Sequence, residues 1–321
     1  MSASSMRMRL PLLQGAWDKA GMLLVLALLF AACAACVDNF LTPRNMEGLG
    51  LAVSTVGIVS CTMMLCLAAG DFDLSVGSVV ACAGVVAAVV MNRTGSVAAG
   101  IAAGLALGAL VGLVNGVVVA SFGINALITT LATMQIVRGL AYIIPGGVAV
   151  GIRTEGFFML GNSKLMGVPT PVVIVALCFV VFGVLLHCTV FGRSALAVGG
   201  NREAAYLAGI PVTRVKIVIF TLQGLMAAFA GIILAARMTS GQPMTSQGLE
   251  LEVISACVLG GVSLTGGVGS IGFVIAGVLI MGIVQNAMNL LNIPPFYQYV
   301  VRGAILLAAV LFDRFKHRRG A

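Results

Sequence analysis

Gly267-Val-Gly269-Ser-Ile-Gly272 has the G-x-G-x-x-G spacing of a dinucleotide-binding turn. That chemistry needs a β-strand before the turn and a ribose-binding acid about 20 residues after it. Here the flanks are apolar runs, and the stretch FVIAGVLIMGIVQNAMNLLN that follows holds no acid. The motif therefore reads as a tight turn. Cys33-Ala-Ala-Cys36 has the spacing of a redox or zinc pair, but no second pair and no histidine lies near it. Small packing residues in a helix are the plainer reading, and nearly all eight cysteines lie in apolar runs. The two histidines, His187 and His317, are isolated, and His187 reads as a helix-end residue. No Gly-Lys dipeptide occurs, so the chain has no G-x-x-x-x-G-K-[ST] phosphate loop. Any ATP must sit on another chain. No metal cluster, Ser/His/Asp set or carboxylate cluster suggests catalysis, and the chain does not read as an enzyme.

The remaining polar residues stand out against their surroundings. Asp71 and Asp73, in AAGDFDLSVGS, are the acids nearest the apolar core of the first half. Acids in such places are costly and often functional. Either Asp73 or Ser75 caps the helix that follows, or an aspartate handles a proton. Arg138 and Arg302 lie within apolar runs. They snorkel, pair with Glu250 or Glu252, or line a passage. Asn125, Thr129 and Thr133 fall at i, i+4, i+8; Gln285 and Asn289 fall at i, i+4, with Asn286 beside them. Neutral amides and hydroxyls on one helix face can line a path for a neutral, hydroxylated solute. The other reading is hydrogen bonding between helices, at about 0.6 kcal/mol per contact.

These residues sit on elements that only lipid can accommodate. The 321-residue chain is 60% hydrophobic and 9% charged, with mean hydropathy +1.13, against about 25% charged in soluble domains. The class is an all-α polytopic membrane protein. The net charge of +8 does not point to nucleic acid. Eleven of the eighteen basic residues fall in three clusters, at Arg7–Lys19, Arg193–Lys216 and Arg314–Arg319, flanking apolar spans as cytoplasmic anchors do. Spans are expected at 21–40, 48–69, 75–91, 97–120, 125–144, 170–189, 214–236, 252–265, 270–291 and 296–312. About ten crossings that start inside also end inside, within a single transmembrane domain, 1–321. Its cytoplasmic parts are the 1–19 segment, the 191–211 segment and the 313–321 tail. The first apolar run, Gly21–Val37, has no convincing cleavage site after it and reads as a retained span. The eighth span is short and ends in SLTGGVGS, an interruption tolerated where backbone is buried or lines a cavity. The five-span blocks on either side of residue 170 suit an inverted repeat by orientation, without residue-level self-similarity. Residues 145–169 are a landing surface for a partner or a connector. Gly100, Gly104, Gly108, Gly112 and Gly116 form a ladder at four-residue spacing. Lipid gives helices no hydrophobic drive to associate, so such a ladder signals close helix contact.

One stretch, FGRSALAVGGNREAAYLAGI at 191–210, is too short and too polar to span. It reads as two short helices broken at Gly199–Gly200. Asn201 caps the second and Glu203 complements its dipole. Ala204, Ala205 and Ala208 form a small shallow face, and Gly209-Ile210-Pro211 ends the helix. Such a piece fits a groove on a cytoplasmic partner.

This stretch resembles the cytoplasmic coupling segment of bacterial ABC sugar-importer permeases of the ribose/arabinose type. GDFDLSVGS, NALITTLATMQIVRGLAYI, ARMTSGQPMTSQGLELEVISACVLGGVSLTGGVGSI and NAMNLLNIPPFYQYVVRGAILLAAVLFDR follow the same family's pattern in order, from about residue 20 to 315. The resemblance implies the importer permease fold in the bacterial inner membrane, with both termini cytoplasmic and a pentose as cargo. It implies a second permease copy, a cytoplasmic ATP-binding-cassette subunit that holds the ATP and Mg, and a periplasmic sugar-binding protein. No cofactor is implied for this chain. Gly199, Gly200, Asn201, Glu203, Ala204, Ala205 and Gly209 would form the coupling core. A self-contained secondary sugar transporter or facilitator is the alternative.

Overall fold

A computed structural model describes residues 9–318. Of the expected terminal segments, residues 1–8 and 319–321 lie outside the described residues. Helices run over Arg9–Cys36 (α1), Pro43–Ala68 (α2), Val76–Thr94 (α3), Val97–Ser121 (α4), Ala126–Ile143 (α5), Glu155–Asn162 (α6), Thr170–Cys188 (α7), Val190–Gly200 (α8), Arg202–Leu207 (α9), Val212–Met238 (α10), Leu249–Leu259 (α11), Ile271–Leu290 (α12) and Pro295–Arg318 (α13). A helix lies over each expected span. Seven of them (α2, α3, α4, α5, α7, α10 and α12) are long and apolar enough to cross a membrane. Shorter apolar helices cover Gly21–Cys36 and Pro295–Leu311.

Helix α11 is only 11 residues long and stops at Leu259, earlier than the expected 265. The stop is local. Gly261, Gly266 and Gly267 all have positive φ, which ordinary side chains resist. The 260–270 stretch is therefore a loop, and the G-x-G-x-x-G motif lies in it and in the first turn of α12, as a turn and not a nucleotide cradle.

Helix α10 is the centre of the bundle. Its Gly224 backbone meets Gly108 and Gly112 of α4, and its Gly231 meets Val80 of α3. A Cβ at Gly108 would overlap the Gly224 carbonyl oxygen, and one at Gly112 would overlap that of Phe220. The ladder's other end turns to α3, where a Cβ at Gly104 would lie 3.0 Å from the Ala83 carbonyl oxygen. Four residues advance about 400° round a helix, so the stripe winds slowly and serves two neighbours in turn. Fully buried Ile58, Met63, Val79, Ala227 and Ala228 from α2, α3 and α10 belong to the resulting core.

The connections gather at two ends. At one, the short strands β1 (Val150–Gly151) and β4 (Ser240–Gly241) pair antiparallel, and β2 (Lys164–Leu165) pairs with β3 (Val168–Pro169). Phe157 of α6 is fully buried, and Asn162 Nδ2 donates to the Ala236 carbonyl at 2.9 Å. The 145–169 stretch thus packs on the end of α10, and exposes Met159, Leu165 and Met166. At the other end the 69–75 turn, the 260–270 loop and α8–α9 meet: the Gly267 amide donates to the Ala68 carbonyl at 2.8 Å.

Candidate functional site

Helix α8 begins at Thr189, whose side chain accepts the Gly192 amide. It runs through both glycines of the expected break. The chain breaks one residue later, at Asn201, where φ is −158° and ψ is 108°. Asn201 Oδ1 then accepts the Ala204 amide at 2.9 Å, the N-cap expected from sequence. Glu203 stands in the first turn of α9, and Gly209, with φ +82°, ends the unit. The two glycines of the doublet differ in role. A Cβ at Gly199 would overlap the Ala68 carbonyl oxygen, and the same residue lies against Gly266 and Gly267. A Cβ at Gly200 would meet only Gly267 Cα, at 3.8 Å. Gly199 therefore docks the segment on the bundle by close backbone approach.

The outward surface also differs from the expected alanine face. Ala204 and Ala208 are exposed, but Ala205 is buried, because α9 turns that side onto the bundle. The large apolar groups offered outward are Tyr206 and Leu207, 71% and 84% exposed. Arg202 and Glu203 flank them, also exposed. A short helix with a docked back and a mixed apolar-charged front suits reversible contact with a partner.

Directly behind this segment lies a polar cluster. Lys216 Nζ donates to Asp71 Oδ1 at 3.0 Å and stands 2.8 Å from Oδ2, with both side chains largely buried. Burial pushes the Asp71 carboxyl up, while Lys216 and then Arg202 pull against that shift. Asp73 takes a different part. Its Oδ1 accepts the Ser75 amide at 2.8 Å and the Ser75 hydroxyl at 2.6 Å, and its Oδ2 has no partner. Burial raises its carboxyl to about 6, against both Ser75 bonds. Ser75 is the N-cap position of α3 but caps no amide with its side chain. The capping expectation is replaced by an Asx-type turn in which Asp73 accepts from Ser75.

The polar line continues inward. Asn115 Nδ2 donates to Ser75 Oγ at 3.1 Å, and Thr133 Oγ1 donates to Asn115 Oδ1 at 2.7 Å. Asn125 caps α5 by accepting the Leu127 amide at 2.8 Å, and the Thr129 hydroxyl donates to the Asn125 carbonyl. Of the first amide-hydroxyl stripe, Asn125 and Thr129 bond within α5 and Thr133 ties α5 to α4.

The second stripe faces a cavity of about 400 Å³ between α2, α10, α11 and α12. Gln285, Asn286 and Asn289 line it with Thr55, Arg237 and Glu252. Asn286 is committed to Asn45 through two reciprocal amide bonds of 2.8 and 2.9 Å. Asn289 Oδ1 accepts from Gln298 at 2.9 Å. Among the described residues the Gln285 amide makes no side-chain hydrogen bond and lines the cavity. The volume lies in the range of small-molecule sites. Arg237 Nη1 donates to the Leu51 carbonyl at 2.9 Å, and Arg302 Nη1 lies 3.7 Å from Glu252 Oε2. Arg138 instead holds the connection before α11, donating to the carbonyls of Pro243 and Thr245 at 2.8 and 2.9 Å. The structure therefore brings the Gln285 set together around one space and puts the Asn125 set elsewhere.

Sequence reasoning missed Lys216, Asn115, Arg237, Tyr206 and Leu207. Lys216 was absorbed into a basic cluster, and Asn115 was hidden beside the last rung of the glycine ladder. An intramembrane-flanking cation paired against an otherwise isolated acid was the available signal.

Comparison with known proteins bears on the same residues. A family model described as branched-chain amino acid transport system / permease component matches residues 45–310. The L-arabinose transport system permease protein AraH of Escherichia coli (strain K12) is 66% identical over 302 residues, 94% of this chain and 92% of that protein. The L-arabinose ABC transporter permease protein AraH of Azospirillum brasilense is 56% identical over 95% of this chain and 91% of its own length. The ribose import permease protein RbsC of Bacillus subtilis (strain 168) is 42% identical over 94% of each. No solved structure matches significantly. A helical bundle with seven helices fit to cross a membrane, matched over most of its length by permeases, identifies this chain as a member of the branched-chain amino acid transport system / permease component family, a multi-pass permease of the ABC transporter class.

Proposed function

We propose that this chain is the permease subunit of an importer that moves L-arabinose from periplasm to cytoplasm, powered by a separate ATP-binding-cassette chain. In this reading the chain crosses a bacterial inner membrane about ten times, which would leave both termini and α8–α9 in the cytoplasm. Two copies form the pathway, and a periplasmic binding protein delivers the sugar. ATP and Mg belong to the ATPase. This chain supplies the surface that the motor grips, through Gly200, Asn201, Glu203 and Ala204 together with Tyr206 and Leu207, with Gly199 docking that segment on the bundle. Ala205 and Gly209 shape that surface from behind. Gln285, Asn286 and Asn289 belong to the solute path.

The observation that carries this reading is α8–α9: a capped helix pair docked by one glycine, with an apolar-charged front facing away from the bundle. A motor can shift such a bundle between conformations only by binding them unequally, which requires a distinct, shape-specific handle. A proton-driven carrier has no use for it.

The test is uptake of labelled L-arabinose, D-ribose and D-galactose into proteoliposomes holding this chain, its ATPase and its binding protein. ATP-dependent uptake favouring L-arabinose is expected. Sugar entry driven by a proton gradient alone would replace this reading with the secondary-carrier one. In the same system Glu203→Lys places a cation at the α9 N-terminus, where the dipole disfavours it by about 0.3–1 kcal/mol. We expect several-fold slower uptake at normal membrane abundance. Unchanged uptake would remove Glu203 from the handle.

A further inference from the structure

The 69–75 turn is flanked by the handle on one side and by α10, into which the handle runs, on the other. Gly199 of α8 rests on the Ala68 carbonyl, three residues before Asp71. The same carbonyl accepts the Gly267 amide, so the 260–270 loop is clamped there too. On the other side, α9 leads through Pro211 directly into α10, and Lys216 lies five residues past that proline. The Lys216–Asp71 pair closes this loop of contacts, and the positive charge of Arg202 in α9 acts on the same carboxylate. From the turn, Asp73, Ser75, Asn115 and Thr133 form a continuous hydrogen-bonded line into α4 and α5.

A buried ion pair is a weak device for stability, because apolar replacements often serve as well. Its distinctive property is geometric: it holds two elements in one arrangement and penalises others. Packed interiors pass on displacement without yielding. We propose that Asp71 and Lys216 are positioning residues for the coupling step, a strut that makes the α2–α3 turn and the base of α10 move with α8–α9 as one body. The proposal rests on the importer reading above.

The experiment uses the assembled complex in proteoliposomes and measures sugar moved per ATP hydrolysed, normalised to complex present. The main variant is the double neutral one, Asp71→Asn with Lys216→Met, which leaves no lone buried charge. Hydrolysis within about twofold of wild type, with the sugar-to-ATP ratio down at least tenfold, is the expected result. Lys216→Arg, which keeps the charge, should retain at least half of the wild-type ratio. An unchanged ratio in the double variant overturns the proposal, whether or not abundance falls. So does a double variant that fails to assemble, since the pair would then be a folding element, or a Lys216→Arg ratio as low as that of the double variant. Wild-type complex that shows no ATP-dependent uptake would instead defeat the importer reading itself, so the two failures are distinguishable.

Discussion

Two regions of this molecule use glycine for close backbone approach, and they use it differently. Along α4 five glycines repeat every fourth residue; Gly100 and Gly104 approach the α3 backbone, and Gly108, Gly112 and Gly116 approach that of α10. At the α8 end a single glycine, Gly199, brings one helix against the last carbonyl of α2 and two loop glycines. The long contact is shared among many groups and includes a matching glycine on α10, Gly224, while Gly231 of α10 lies against Val80 of α3. It belongs to assembly. The Gly199 contact is local, has exposed α9 beyond it and a charged pair behind it, and can act as a joint. Glycine spacing alone does not separate an extended weld from a single-point dock; the extent of the contact and its surroundings do.

Substitutions can break that contrast or sharpen it. The largest effect is expected for Gly108→Leu, where the new side chain collides with the Gly224 backbone. Overpacking of this kind costs about 1–3 kcal/mol or more, and neither backbone can retreat without losing neighbouring rungs. Membrane abundance, measured by quantitative immunoblot, should fall severalfold, and ATP-driven uptake should fall in proportion. Normal abundance and uptake would show that the ladder is not the weld.

Gly199→Val should act differently. It pushes α8 off Ala68 while leaving the central bundle intact. We expect at least half the wild-type abundance, with uptake per assembled complex down about tenfold, equal to about 1.4 kcal/mol in the transport step. A loss of abundance as deep as that of Gly108→Leu would erase the distinction between the two regions. The smallest effect belongs to Gly200→Ala. Its Cβ finds only ordinary contact at 3.8 Å, and alanine favours a helix over glycine by about 1 kcal/mol. Uptake within a factor of two of wild type is expected. A strong defect there would make the doublet, and not Gly199 alone, the joint.

Much of the fold was legible without coordinates. Helix α4 was expected at 97–120 and runs over Val97–Ser121; α7 was expected at 170–189 and runs over Thr170–Cys188. The cap at Asn201 was also legible, because an N-cap depends on one side chain and the next three amides. The site was less so. The break was expected at Gly199–Gly200 but lies at Asn201, and Ala205 was expected outward but is buried. Both errors concern which way a short helix faces, and that depends on what it rests against.

The chain's solvent, the positions of its spans and the existence of an intimate helix interface followed from the sequence by itself, because composition, run length and four-residue spacing are local properties. The tertiary structure decided the rest. Lys216 and Asp71 are 145 residues apart in the chain, so their pairing leaves no mark in spacing. Thr133 turns to Asn115 while Gln285 turns to a cavity. In a soluble protein a polar face opposite an apolar one would have told them apart. Lipid-facing and buried sides of a membrane helix are equally apolar, so only the packed bundle shows which polar group bonds a neighbour and which faces open space.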